Sequence, residues 1–159
     1  MDGFEGLAEF DVHEPAQMTK VLRTQVDVVL PSGAAVLNAD EPQVADLARL
    51  CDGAVILYSA DADNPLVAAH RAHEQGRAVL VKGGNVVLAT GAAEKSLGAV
   101  SRLAFAQGAS TPPVATLLAA MGAAWALDIA PDLIAAGIKT FEPELPSSAT
   151  SPRTVTLPL

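Results

Sequence analysis

Three stretches of this sequence carry residue types that could do chemistry. The first is Asn38-Ala39-Asp40-Glu41-Pro42, which follows a short apolar run from Ala34 to Leu37. In open α/β sheets, ligands bind beyond the carboxyl ends of strands. An asparagine placed there offers both a donor and an acceptor to an adenine edge. The same residues also read as plain helix capping: Asp40 is a good N-cap, and Gln43 three residues later completes a capping-box pattern. The second stretch is Gly91-Ala92-Ala93-Glu94-Lys95-Ser96. It lacks the second glycine and the spacing of a phosphate loop and reads as a surface turn. The third is His70 and His73, with Glu74 beside them. At i and i+3 on one helix the two rings share a face. A metal site needs a third ligand, and His13 precedes a different helix. A solvated helix face is therefore expected, with no metal site. Cys51 lies on an apolar stripe without a histidine partner and reads as a small core residue. No catalytic residue is assigned.

The elements that must position these residues follow from spacing. Phe4, Leu7 and Phe10 belong to an extended lead-in. Glu14-Pro15 opens a helix whose apolar positions are Met18, Val21, Leu22, Val26 and Val29, ended by Pro31-Ser32-Gly33. Ala34 to Leu37 is a short strand. Val44, Leu47, Ala48 and Cys51 form the stripe of the next helix, with Gly53 at its C′ position. Ala54 to Tyr58 is a strand covered on both faces. Asn64-Pro65 starts a helix that Gly76 stops. Arg77 to Lys82 and Asn85 to Thr90, joined by Gly83-Gly84, have the composition of a two-residue hairpin. Leu97 to Phe105 adds a further strand. Val114 to Leu127 is an Ala-rich helix holding the single tryptophan, Trp125, expected in the core. Pro131 to Ala136 is a last short helix closed by Gly137. Residues 1–141 read as one α/β domain with a mixed sheet, flanking helices and a β-hairpin. Residues 142–159, rich in proline, serine and threonine, read as a disordered tail.

Composition excludes several function classes. The net charge is −8, and aromatic residues make up 4% of the 159 positions. Such a chain is poorly suited to binding a phosphate backbone, so no nucleic-acid partner is expected. One cysteine excludes an internal disulfide framework. Pro113 to Ile129 is almost entirely apolar but falls short of the roughly 20 residues a bilayer requires. It reads as a buried helix, with no membrane partner. Met1 is followed by Asp2, Gly3, Phe4 and Glu5, without a basic or an apolar leader region, which makes the cytoplasm the expected compartment.

Read together, Val36-Leu37-Asn38-Ala39-Asp40-Glu41-Pro42 resembles the Asn-x-Asp-Asp-Pro signature of the Mur ligase superfamily, and its context resembles the cyanophycin synthetase branch. The supporting stretches are Gln17 to Val21 leading to Pro31-Ser32-Gly33, Asp63-Asn64-Pro65, the hairpin from Arg77 to Thr90, Leu117 to Leu127, and Ala136 to Phe141. The resemblance implies part of a Mur-ligase-like central domain, its C-terminal portion. It also implies an ATP-dependent ligase reaction in which a carboxylate is activated as an acyl phosphate and attacked by an amine. Aspartate and arginine would be the amino-acid substrates of the polymer made. By the same likeness Asn38 helps seat the adenine and Asp40 holds the turn, with ATP and Mg²⁺ as the cofactors of the parent family. The family's glycine loop with Lys-Thr is not in this sequence, and Thr116 stands where the family has asparagine. The expectation is a fragment or truncated relative, inactive as a ligase by itself. The alternative is a non-catalytic module that docks on a full-length synthetase or self-associates through exposed apolar surface.

Overall fold

The computed structural model describes residues 13–102 and 113–140. The lead-in, the segment 103–112 and the tail beyond Thr140 lie outside the described residues. Helix α1 (Pro15–Asp27) starts where proline at the first position costs no hydrogen bond. The Gln17 Oε1 accepts from the Glu14 and His13 N–H groups at 2.9 and 2.7 Å, closing that end. Strand β1 (Ala34–Asn38) follows, then α2 (Pro42–Ala45), which tightens into a 3₁₀ segment, Asp46–Leu50. Next come β2 (Ala54–Ser59), α3 (Pro65–Arg71), β3 (Arg77–Lys82), β4 (Asn85–Thr90) and β5 (Ala93–Ala99). A 3₁₀ turn at Val100–Arg102 precedes α4 (Val114–Ala126) and α5 (Pro131–Thr140).

The sheet has strand order β1-β2-β3-β4-β5. Its first three strands are parallel, and β4 and β5 are antiparallel, so the sheet is mixed as expected. Helices cover both faces. On one face α4 and α5 bury Ile56, Val79, Leu88, Leu118 and Met121. On the other, α1, α2 and α3 pack against Leu37, Leu47, Leu57, Val67 and Leu80. Burial on both sides explains why β2 to β4 read as unbroken apolar runs. Gly83 and Gly84 have φ of 55° and 75°, the two left-handed positions that a tight hairpin turn demands.

Four expectations are corrected. Asp40 does not cap α2; Glu41 occupies the N-cap and Pro42 follows it. Gly53 is no left-handed helix stop but a point of close approach: a Cβ there would lie 2.4 Å from the Gly33 carbonyl oxygen. The last strand begins at Ala93, not Leu97, because the chain reverses tightly at Gly91 (φ 53°). The last helix runs through Gly137 to Thr140, where open space around Gly137 leaves nothing to break it.

Trp125 packs against the core from its edge, on a helix buried as expected. It lies on the flank of α4, with the Arg77 guanidinium 5.0 Å above its ring. Most of the tryptophan's surface is buried, and at ~25 cal/mol per Å², together with the cation–π contact, this gives about 3–4 kcal/mol for Trp125→Ala. Urea denaturation checks this figure, and a loss under about 1 kcal/mol would mean that the ring does not pack against the core.

Candidate functional site

Strands β1 and β2 end side by side, with Asn38 registered against Tyr58. In a parallel pair such residues project from the same face of the sheet. Asn38 then turns the chain: its Oδ1 accepts from the Asp40 N–H at 3.0 Å. This leaves the carboxamide its two N–H donors and a second lone pair for a ligand.

Asp40 holds that turn in place from the far side. Its carboxylate accepts from the Ser59 hydroxyl, from the Ala60 N–H at 2.9 Å and from Asn64 Nδ2 at 3.2 Å. Asn64 Nδ2 also donates to the Ala39 carbonyl at 3.1 Å, while its Oδ1 accepts from the N–H groups of Leu66 and Val67 and so caps α3. One carboxylate and one buried amide therefore lock the β1 loop, the β2 loop and the start of α3 together. Ser59 is fully buried and Asn64 nearly so, and no buried side-chain polar atom among the described residues lacks a partner. A satisfied buried network of this kind rigidifies what it joins.

Asn38, Glu41 and Tyr58 border one groove of about 580 Å³, whose floor runs along β1 and whose wall is α1. Burial, reinforced by the nearby Asp40 and Glu41 carboxylates, raises the Tyr58 hydroxyl above its usual range, so the phenol stays a neutral donor. Of these residues the sequence pointed to Asn38 and Asp40. It missed Tyr58, Ser59 and the second role of Asn64. Pairing the ends of the two apolar runs in parallel register would have found Tyr58.

No family model matches the chain. Comparison with curated proteins gives a cyanophycin synthetase of Synechocystis sp., 34% identical over 137 residues and covering 86% of this chain. A cyanophycin synthetase of Geminocystis herdmanii is 32% identical over 139 residues, and one of Crocosphaera subtropica is 29% identical over 133. The chain is a part-length relative of the cyanophycin synthetases. It spans only about 15% of the length of those proteins. No helix among the described residues is long and apolar enough to cross a membrane.

The other two sequence candidates take structural roles in this synthetase-like region. Gly91 to Ser96 is the β4–β5 turn and the start of β5. Glu94 pairs with Arg71 at 2.9 Å and Lys82 at 2.7 Å, and Lys95 pairs with Asp132 at 3.0 Å, so the stretch does not form a phosphate cradle. The two histidines do not share a helical face, because α3 ends at Arg71 and His73 lies in the turn beyond it. His70 is half-buried, its Nε2 3.2 Å from the Val55 carbonyl. Among the described residues no group of three ligand side chains could hold a metal ion. Cys51 is half-buried beside the α1–α3 side of the core, in keeping with its expected packing role.

These contacts set an acid sensitivity. Burial is the main cause that lowers His70 below its ordinary 6.5, opposed by the carbonyls of Val55 and Arg77. The unfolded chain then takes up the proton first as pH falls through 6.5, so the stability present above that pH is lost on acidification. Glu94 is held below its ordinary 4.5 by Lys82 and Arg71, and its contribution is lost in turn as pH drops below that value. His70→Gln is expected to flatten the stability profile from about pH 7 to about pH 5 and leave the more acidic limb intact. Urea midpoints across pH test this; an unchanged slope in the variant would remove His70 from the account.

Proposed function

We propose that this chain is the adenine-side portion of an ATP-dependent amide ligase that joins amino acids through an acyl phosphate. Kinship with the cyanophycin synthetases supports the ligase class. The observation that carries the adenine assignment is the placement of the Asn38 amide beside Tyr58 at the paired strand ends, at the mouth of the groove. A groove of about 580 Å³ lies within the size range of small-molecule sites. In this reading Asn38 donates to and accepts from the base edge. Tyr58 supplies a flat neighbouring surface, and the Asp40–Asn64 brace fixes the loop so that Asn38 binds without first being ordered.

The residues described do not fit the rest of the cofactor. With Glu94 and Lys95 committed to ion pairs, the one glycine-and-lysine stretch offers no grip on a triphosphate or its Mg²⁺. No phosphoryl-transfer step is assigned to them. The purified chain is expected to bind adenosine and ADP with similar, weak affinity, because the phosphates add little. Asn38→Ala should weaken adenosine binding about tenfold, the worth of one lost amide contact. Saturation-transfer NMR measures both. Binding that ignores Asn38→Ala, or no adenosine binding at all, overturns the assignment. Incorporation of arginine by the chain alone, well above blank, would overturn the claim that the phosphate-holding part lies elsewhere.

A further inference from the structure

Strand β5 carries a bulge opposite β4: Val86 registers with Gly98 but Val87 with Ser96, which leaves Leu97 as the extra residue. Gly98 takes a φ of 121°, which a residue with a side chain rarely adopts, and the Lys139 Cε lies 3.9 Å from where its Cβ would stand. Around it is a cavity of about 380 Å³, lined among the described residues by Asn85, Gly98, Ala99, Arg102 and Lys139. Two cations, from the turn after β5 and the last turn of α5, thus meet at one cavity with no acid in its described lining. This is unusual in a chain of net charge −8. Elsewhere the cations have partners: Arg49, Arg71, Lys82 and Lys95 are ion-paired, and Arg77 sits over Trp125. Arg102 and Lys139 have no acid partner among the described residues.

We propose that this cavity binds the phosphate group of a small phosphate monoester, held by Arg102 and Lys139 with Asn85 as a neutral donor. The inference is independent of the ligase reading. Like charges gathered without a counter-charge repel, and an anion relieves that cost. A phosphate monoester carries about two negative charges at neutral pH, matching the two cations. Its three terminal oxygens suit a planar guanidinium fork and a second, point-like cation. Asn85 Nδ2 donates one N–H to the Gly83 carbonyl at 3.2 Å and keeps the other for a ligand. The size is that of a small-molecule site rather than of a single ion, so room remains for the ester's organic part. Asn85 and Ala99 pair at the end of the sheet where β3 finishes, the end at which open α/β sheets receive ligands. Three strand spacings, ~14 Å, separate Asn85 on β4 from Asn38 on β1, so the adenine groove is a different place.

NMR titration of the full chain with inorganic phosphate, and separately with glycerol 3-phosphate, tests the proposal at an ionic strength held constant with chloride. Both should shift the Gly98 N–H and the Asn85 side-chain amide, and the monoester should bind at least as tightly as phosphate. Arg102→Gln and Lys139→Gln should each weaken binding about tenfold at unchanged Tm. Lys20→Gln, which removes an equal charge from an exposed position on α1, should leave binding unchanged. Shifts reproduced by chloride alone, binding that leaves Gly98 and Asn85 unmoved, an equal loss in Lys20→Gln, a monoester weaker than phosphate, or displacement of phosphate by adenosine each overturns it.

Discussion

Gly122→Ala is expected to lower stability by about 2 kcal/mol, and Gly122→Val to abolish the cooperative unfolding transition. The ordinary expectation for a helix interior runs the other way, since alanine gains ~1 kcal/mol over glycine in propensity. Contact with the sheet reverses the sign. Gly122 is buried on α4 where the helix crosses the parallel strands. A Cβ there would sit 2.7 Å from Val36 Cγ1, with Ile56 Cγ2 and Val79 Cγ2 both at 3.7 Å. Val36 is β-branched, stiff at χ1, and its backbone is registered against Ile56, so it cannot swing away cheaply. The helix must lift instead, and lifting it separates Leu118 and Met121, both buried, from the same three strands. Valine adds two more carbons to the collision. The contact identifies its own rescue: Val36→Ala removes the struck atom, so the double variant should show a favourable coupling of about 2 kcal/mol in a double-mutant cycle. Urea denaturation of the four proteins measures it. A stabilised Gly122→Ala would mean that α4 does not rest on β1 at all.

What could be read from the residues, and what could not, divides along the range of the interaction. Strand and helix positions came from local pattern: the apolar runs of β1 to β4, the Gly-Gly hairpin with both φ values positive, and Asn64-Pro65 as a helix start. Errors fell where a contact distant in sequence replaces the local rule. Asp40 carries a capping residue's side chain, yet its carboxylate is taken by Ser59, Ala60 and Asn64, about 20 residues or more away in the chain, and Glu41 is left to head α2. Gly53 looked like a helix stop because glycines usually are; its cause is the Gly33 carbonyl pressed against it from across the β1–β2 crossover. The burial of the Trp125 helix, by contrast, was legible from composition; the spacing of α4 turns Leu117, Leu118 and Met121 inward and sets the indole at the edge of the core beneath Arg77. At the candidate site the same division holds. Asn38 was visible from the motif, whereas Tyr58 needs the register and Asn64 needs the fold. Family resemblance indicated that the Asp40 position matters but not by which contacts it acts.

Asn64→Ala should cost about 3 kcal/mol. The helix cap contributes about 1 kcal/mol of that, through the Leu66 and Val67 N–H groups. The remainder comes from leaving the Ala39 carbonyl without its buried Nδ2 donor and from loosening Asp40 Oδ1, which keeps only the Ser59 hydroxyl. Asn64→Asp separates the two parts. The cap acceptor survives, but an oxygen now faces Asp40 Oδ1 across a gap that the amide bridged at 3.2 Å. Two carboxylates so placed cannot both ionise cheaply, which raises the proton affinity of the pair above that of the unfolded chain. A group with a raised folded pKa is stabilised as pH falls, so the deficit of Asn64→Asp relative to the parent should shrink from about pH 7 to about pH 4. Asn64→Ala should show no such recovery. The same variants reach the site, because the brace is what holds the Asn38 turn. Adenosine binding should weaken in both, although Asn64 does not line the groove, and in Asn64→Asp it should return on acidification together with stability. Weakened binding at full stability, or a pH-independent deficit in Asn64→Asp, would show that Asp40 and Asn64 do not act as one unit.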